Sequence, residues 1–346
     1  MLCKEKYKNF AFFGGGVVRG KTWDCKFIGL FVLVIALGII GVPALVVLRW
    51  SGGGAGPAKS TGTEVKLQIA KGKVISLPLE EYLIGVVAAE MPASFHLEAL
   101  KAQAVAARTY ALRRIYQKTL PDKHPEAHLC NDPDHCQAWI SKGEMKRKWG
   151  IWHYNSYYQR IARAVTETKG EVLVYRGELI DPVYHASCGG RGTEDAADVW
   201  GYQVPYLKGV PCSGHPPQEN QVAVLNFSFQ EFFTRLGIND EALPAASGLG
   251  GLVEILERTG SGRVKKLQVG GLVLQGVDLR KRLGLPSTDF SVQVTPEKIV
   301  FSVRGRGHAV GLCQYGAQGM AMKGKNYREI LTHYYQGVEL RHLSYQ

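Results

Sequence analysis

Hydrophobic and polar positions divide the chain into three regimes. Residues 27–48 (FIGLFVLVIALGIIGVPALVVL) run for 22 residues without a charged side chain. At about 1.5 Å per residue this is about 33 Å of helix, enough to cross a hydrocarbon layer of about 30 Å. The pattern predicts a transmembrane helix, with Pro43 a kink such helices tolerate. Residues 51–63 (SGGGAGPAKSTGT) are rich in Gly and Ser and predict a flexible tether. Beyond them the pattern becomes that of a folded domain. Alternation over 65–70 and 73–77 around Lys71-Gly72 predicts a β-hairpin. Residues 78–90 carry a helical period with Tyr82, Leu83, Val86 and Val87 on one face, and Pro92 ends it. A second helix is expected over 97–117, with Leu97, Leu100, Ala104, Ala107, Ala111 and Ile115 inward and many alanines permitting close packing. Residues 119–150 read as polar and irregular, and a helix is expected over 156–166. Strand-like runs follow at 172–175, 183–185, 252–258, 264–269 and 299–304, with a turn at 257–262 and a short helix at 279–283.

The expected architecture is α+β: cytoplasmic residues 1–26, a transmembrane helix over 27–48, a linker over 49–62, and one mixed α+β catalytic domain over 63–346 with a β-rich lobe over about 214–300. A cleaved signal peptide is the rival reading of 27–48, but its apolar core would be about 7–15 residues. Arg49 and Trp50 fit an interfacial anchor better than a cleavage site. The first 26 residues carry a net +4 of the chain's +12. A basic flank of this kind stays in the cytoplasm, which puts everything after Trp50 outside. The remaining +8 suits an anionic partner. No zinc-finger, helix-turn-helix or RNA-recognition signature is present, so nucleic acid is not the expected partner.

Several residues could carry chemistry. Glu90 falls at a predicted helix C-terminus, where the macrodipole disfavours negative charge and raises the carboxyl pKa. It is either a general acid or an ordinary exposed helix-end carboxylate. Lys101 and Arg108, seven apart, share a helix face and read as substrate-holding cations or as a solvated basic stripe. Tyr206 and Lys208 alternate on an extended piece and form a weaker pair of the same kind. KHPEAHLCNDPDHCQAW (123–139) places His124, Cys130 and Cys136 at H-x5-C-x5-C spacing. Zinc takes such donors, His128 and His135 compete for the nitrogen position, and a Cys130–Cys136 disulfide is the alternative. Of seven cysteines, Cys188 and Cys313 invite a thiol-hydrolase reading, or stand as small residues packed at a cleft.

Three segments resemble the SpoIID/LytB family: PLEEYLIGVVAAEMPASFHLEALKAQAVAARTYAL (78–112), YHASCGGRGTEDAADVW (184–200) with Pro205-Tyr206-Leu207, and GRGHAVGLCQYGAQGM (305–320). With weaker similarity between them, the resemblance spans 63–346. It implies a peptidoglycan lytic transglycosylase that cuts MurNAc–GlcNAc bonds in peptide-stripped glycan strands and leaves 1,6-anhydroMurNAc ends. On that resemblance Glu90 in Ala-Ala-Glu-Met-Pro is the catalytic acid, and His124, Cys130 and Cys136 are ligands of a zinc ion that organises the loop beside the cleft. His308, Gln314 and Tyr315 would bind sugar or support the groups that do. The family setting implies engulfment during endospore formation, in the space between mother cell and forespore, beside a SpoIIP-type amidase and a SpoIIM-type membrane protein. A non-catalytic wall-binding or amidase-activating module is the alternative on the same scaffold.

Overall fold

The computed structural model describes residues 62–117, 121–212, 214–215, 222–238 and 251–344. The expected transmembrane helix over 27–48 lies outside them. Among the described residues no helix is long and apolar enough to cross a membrane.

The domain opens with an antiparallel hairpin, β1 (Glu64–Ala70) and β2 (Lys73–Pro78), that runs straight into helix α1 (Leu79–Glu90). Glu80 and Glu81 sit in the first turn of α1, where the helix dipole favours them. The helix ends because Met91 adopts extended backbone ahead of Pro92. Helix α2 (Leu97–Tyr116) is the centre of the main core. A single inward face was expected, yet Ala99, Ala102, Ala104, Ala106, Ala107 and Ala111 are all fully buried. With so little side chain, neighbours close in around the whole circumference.

Strand β3 (Leu129–Cys130) pairs in parallel with β1 and anchors the loop between α2 and helix α3 (Lys142–Glu167). The expected irregularity over 119–150 is corrected at its end. Ser141 and Glu144 form a capping box that starts α3, and the helix continues past a kink at Gly150. Strands β4 (Glu171–Tyr175) and β5 (Glu178–Leu179) follow, then β6 (Tyr184–His185) and helix α4 (Ala196–Trp200).

The β-rich stretch comprises β7 (Val222–Phe227), α5 (Phe229–Leu236), β8 (Val253–Arg258), β9 (Val264–Val269), β10 (Leu272–Gln275), α6 (Gly276–Leu283), β11 (Asp289–Val294) and β12 (Ile299–Arg304). They make two three-stranded sheets, β10-β9-β8 and β11-β12-β7. Phe227, Phe232, Phe233, Leu267, Leu279 and Phe301 fill a second core between them. The chain then returns to the main body as β13 (Leu312–Cys313), α7 (Gln314–Met322), α8 (Tyr327–Tyr334) and β14 (Glu339–His342). There β13 pairs in parallel with β6, and β14 completes the sheet β14-β4-β5. Helix α2 packs against α1, α3, α7, α8 and β4, so all three motif segments converge on it or on its neighbours.

Candidate active site

Glu90 ends α1, and its Oε1 accepts the backbone N–H of Ala138 at 2.9 Å and the Tyr184 hydroxyl at 3.4 Å. The Gln314 side chain also hydrogen-bonds it, and Lys148 adds positive charge nearby. Burial raises the Glu90 pKa above the ordinary carboxylate value, and these four groups offset only part of the rise. A raised pKa shifts the balance toward the protonated carboxyl, and the fixed donors orient it.

Each neighbour of Glu90 is itself held. Tyr184 lies on β6, and its backbone carbonyl is 3.0 Å from His308 Nε2. His308 Nδ1 accepts the Val310 N–H at 3.1 Å, which leaves Nε2 as the donor to Tyr184. Burial pushes the His308 pKa down to about 3, so the ring works as a neutral imidazole. Gln314, at the start of α7, is 3.2 Å from the Gln103 amide oxygen on α2. Lys148, on α3, donates to the Ala88 carbonyl at 2.8 Å, and burial lowers its pKa.

Ala138 is carried by the loop that bears the metal candidates. His124 is fully buried, and its Nδ1 lies 2.8 Å from the Ala127 carbonyl. That bond turns Nε2 toward Cys136 Sγ at 3.5 Å. The Cys130 and Cys136 sulfurs are 3.2 Å apart, and both are free thiols. His135 Nδ1 is 3.5 Å from each sulfur. The structure therefore brings His124 and His135 together rather than choosing between them. His128 turns away to accept the Lys66 N–H. Two imidazoles and two thiols around one point form a donor set that fits zinc. The same loop packs over α1: Trp139 lies on Gly85, where any Cβ would overlap its indole ring.

The expected substrate contacts divide. Gln314 reaches Glu90, and His308 reaches it through Tyr184. Tyr315 packs edge-on against Phe95, with ring centroids 5.0 Å apart. Lys101 and Arg108 do share a side of α2, but α3 covers it. Lys101 is ion-paired with Glu98 and Glu167 at 2.8 and 2.7 Å. Arg108 is fully buried, paired with Glu80 at 2.7 Å and donating to the Val165 and Glu171 carbonyls. In this conformation its guanidinium is closed to substrate, and its place is structural. The Tyr206 hydroxyl accepts the Asp181 N–H at 3.0 Å, and Lys208 is paired with Asp195 at 3.1 Å. Cys188 and Cys313 are 1% and 0% exposed, so the thiol-hydrolase alternative lacks a reachable sulfur.

Sequence reasoning assigned no role to Lys148, Tyr184 or Ala138. Tyr184 opens the second family-like segment, a signal that was present; Lys148 and Ala138 carried none, because only the fold brings them to Glu90. A cleft of about 870 Å³ is lined by Lys123, Asp132 and Asp134 of the candidate metal loop, Trp200 of α4, and Arg280 and Lys281 of α6. Trp200 stands 5.6 Å from the His308 ring, which links this cleft to the Tyr184 support.

The profile of the family described as "SpoIID: Stage II sporulation protein" matches residues 69–175. Stage II sporulation protein D of Bacillus subtilis (strain 168) is 37% identical over 271 residues, covering 78% of this chain and 76% of that protein. The chain belongs to the stage II sporulation protein D family. The protein of the same name from Bacillus amyloliquefaciens is 37% identical over 267 residues, 77% of this chain and 75% of its own length. The "Amidase enhancer" of Bacillus subtilis (strain 168) is 30% identical over 310 residues, 75% of this chain but 40% of that protein. Within the family profile fall Glu90, Lys148 and the whole loop that bears the metal candidates; Tyr184, His308 and Gln314 come from outside it.

Proposed function

We propose that this sporulation-family protein is a peptidoglycan lytic transglycosylase, with Glu90 as its acid and then its base. The observation that carries the reading is the setting of Glu90: a largely buried helix-end carboxyl, its pKa raised by that burial, aimed by the Ala138 N–H and the Tyr184 hydroxyl. In the first step the carboxyl proton passes to the glycosidic oxygen as the bond from MurNAc C1 to that oxygen breaks. The carboxylate then takes the proton of the sugar's own C6 hydroxyl while that oxygen bonds to C1. The products are a free hydroxyl on the departing GlcNAc and a 1,6-anhydro ring on MurNAc. No water is consumed, so no second carboxylate is needed to activate one. An amide N–H, a phenol and a carboxamide hydrogen-bond Glu90 and an ammonium lies nearby, which is in keeping with a single-acid mechanism.

The cleft beside Trp200 is the proposed glycan groove: an indole face suits a sugar ring, and Arg280 and Lys281 suit the MurNAc carboxylate. Zinc held by His124, His135, Cys130 and Cys136 would supply rigidity to the loop that carries Ala138. The setting proposed is peptide-stripped strands during engulfment, with an amidase and a membrane protein as working partners.

The test uses the full chain and its Glu90→Gln variant on peptide-free glycan strands, with product masses determined. Anhydro-ended products from the wild type alone support the assignment. Reducing-end products would make the protein a hydrolase. Binding without cutting would favour the second reading, a wall-binding, amidase-activating module, to which the likeness to the amidase enhancer lends weight.

A further inference from the structure

A second cluster of soft ligands lies beside the β6–β13 pair. Cys188 follows β6, Cys212 and His215 belong to the loop after α4, and Cys313 ends β13 and caps α7. Their side chains are 1%, 5%, 9% and 0% exposed, in the order Cys188, Cys212, His215, Cys313. His215 Nε2 points into the three sulfurs, at 3.3 Å from Cys188, 3.2 Å from Cys212 and 3.4 Å from Cys313. All four ligand atoms lie within 4.8 Å of one another. The geometry points to a structural zinc site of Cys3His type at Cys188, Cys212, His215 and Cys313, separate from the loop site at His124.

The distances suit the ion. With Zn–S of about 2.3 Å and Zn–N of about 2.0 Å, a tetrahedral site has S···N edges of about 3.5 Å. The observed edges fall just short of this, and a small outward movement of each side chain would seat the ion. The surrounding bonds are those a metal site needs. Ser187 Oγ lies 3.3 Å from His215 Nδ1, placed to accept an Nδ1–H in the tautomer that leaves Nε2 free for the metal. The backbone N–H groups of Cys188 and Gly316 donate to Cys313 Sγ at 3.3 and 3.4 Å, and the Tyr334 hydroxyl is 3.0 Å from Cys212 Sγ. Such donors stabilise thiolates. Gly316 is needed here, since a Cβ would overlap both the Tyr334 hydroxyl and Cys212 Sγ. Four protein ligands leave no open position, so the site holds structure rather than activating water. What it holds is the β6–β13 pair, and with it the backbone of Tyr184, whose hydroxyl reaches Glu90.

A disulfide is the main rival, because three buried thiols in an oxidising compartment could pair two and strand one. The experiment removes the loop site and asks what remains. The full chain carrying Cys130→Ser and Cys136→Ser, purified in zinc-containing buffer, is expected to keep one tightly held zinc ion by elemental analysis. Adding Cys212→Ser should remove it. Zinc-free double variant with Cys188, Cys212 or Cys313 in a disulfide by peptide mass would overturn the proposal. If the double variant fails to fold, cobalt titration of the wild-type chain decides. Sulfur-to-cobalt charge transfer grows with the number of bound thiolates: intensity for three or five supports the site, and for two or none sinks it.

Discussion

At the scale of single residues, Glu90 binds its proton more tightly in the folded chain than an exposed glutamate does. The native state therefore holds more protons than the unfolded state, from the ordinary glutamate value of about 4.3 upward. Stability contributed by the neutral carboxyl is fully present below that pH and is lost as pH rises through the raised folded value. Glu90→Gln removes the titration while keeping an oxygen for the Ala138 N–H. The variant should thus match the wild type in acid and exceed it at pH 8 in urea unfolding, while activity falls by about 10²–10⁴-fold. A variant equally destabilised at both pH values would show that Glu90 is not a buried acid. Arg108 has a structural place instead. It joins α1, α2, α3 and β4 through one fully buried guanidinium. Arg108→Ala should cost about 3–5 kcal/mol, as breaking a buried pair does. Folded Arg108→Ala protein should bind glycan strands as the wild type does, measured by co-sedimentation with purified strands. A selective loss of binding at unchanged stability would restore the substrate role its sequence position suggested.

Among the elements, the loop between α2 and α3 connects metal candidates to Glu90, since Ala138 stands two residues after Cys136. Chelation should raise hydrogen exchange over 129–140 and lower activity together, and zinc should restore both. Activity that survives while the loop opens would separate the two. Gly85→Ala attacks the same junction from α1 by pushing the Trp139 indole off the helix. A cost of about 1–3 kcal/mol is expected from overpacking, read by thermal unfolding, with Glu90 displaced and activity reduced. This junction also marks the limit of what was legible beforehand. The hairpin, α1 and α2 are written in short-range periodicity and a proline stop, and they form where expected. The start of α3 was written too, as Ser141 with Glu144 three positions on, but charge-rich residues obscured its weak apolar face. H-x5-C-x5-C spacing marked His124, Cys130 and Cys136 as metal candidates, whereas the approach of His135 to both sulfurs depends on how the loop closes. Gln314 was legible through its motif; its contact with Glu90, across more than 200 residues, is a product of packing around α2. The covering of the Lys101 and Arg108 face was not legible, because a helical wheel shows which residues share a side and not what lies over it.

For the molecule as a whole, the question is why two hydrophobic cores should behave as one. The β-rich stretch has its own aromatic interior and could be expected to melt alone. Arg263 argues against it. This residue, 1% exposed at the edge of β9, reaches out of the lobe to pair with Glu194 at 3.0 Å. It also donates to the Cys188 and Gly192 carbonyls at 2.7 and 3.0 Å. Thr259 and Ser261 hydrogen-bond the same Glu194 carboxylate, so the turn between β8 and β9 is bound to the body by a charged network. Such a network is directional and gives the lobe one seating, but it is unforgiving of loss: without the guanidinium, Glu194 is a buried carboxylate with two hydroxyl donors and no counter-charge. Calorimetry should therefore give one transition for the wild type and two for Arg263→Ala, with the lobe melting first. If the variant melts in one transition at an unchanged temperature, the lobe is held by something other than Arg263. If it melts in one transition at a lower temperature, the cores are coupled through additional contacts, and the network contributes stability without being their only link.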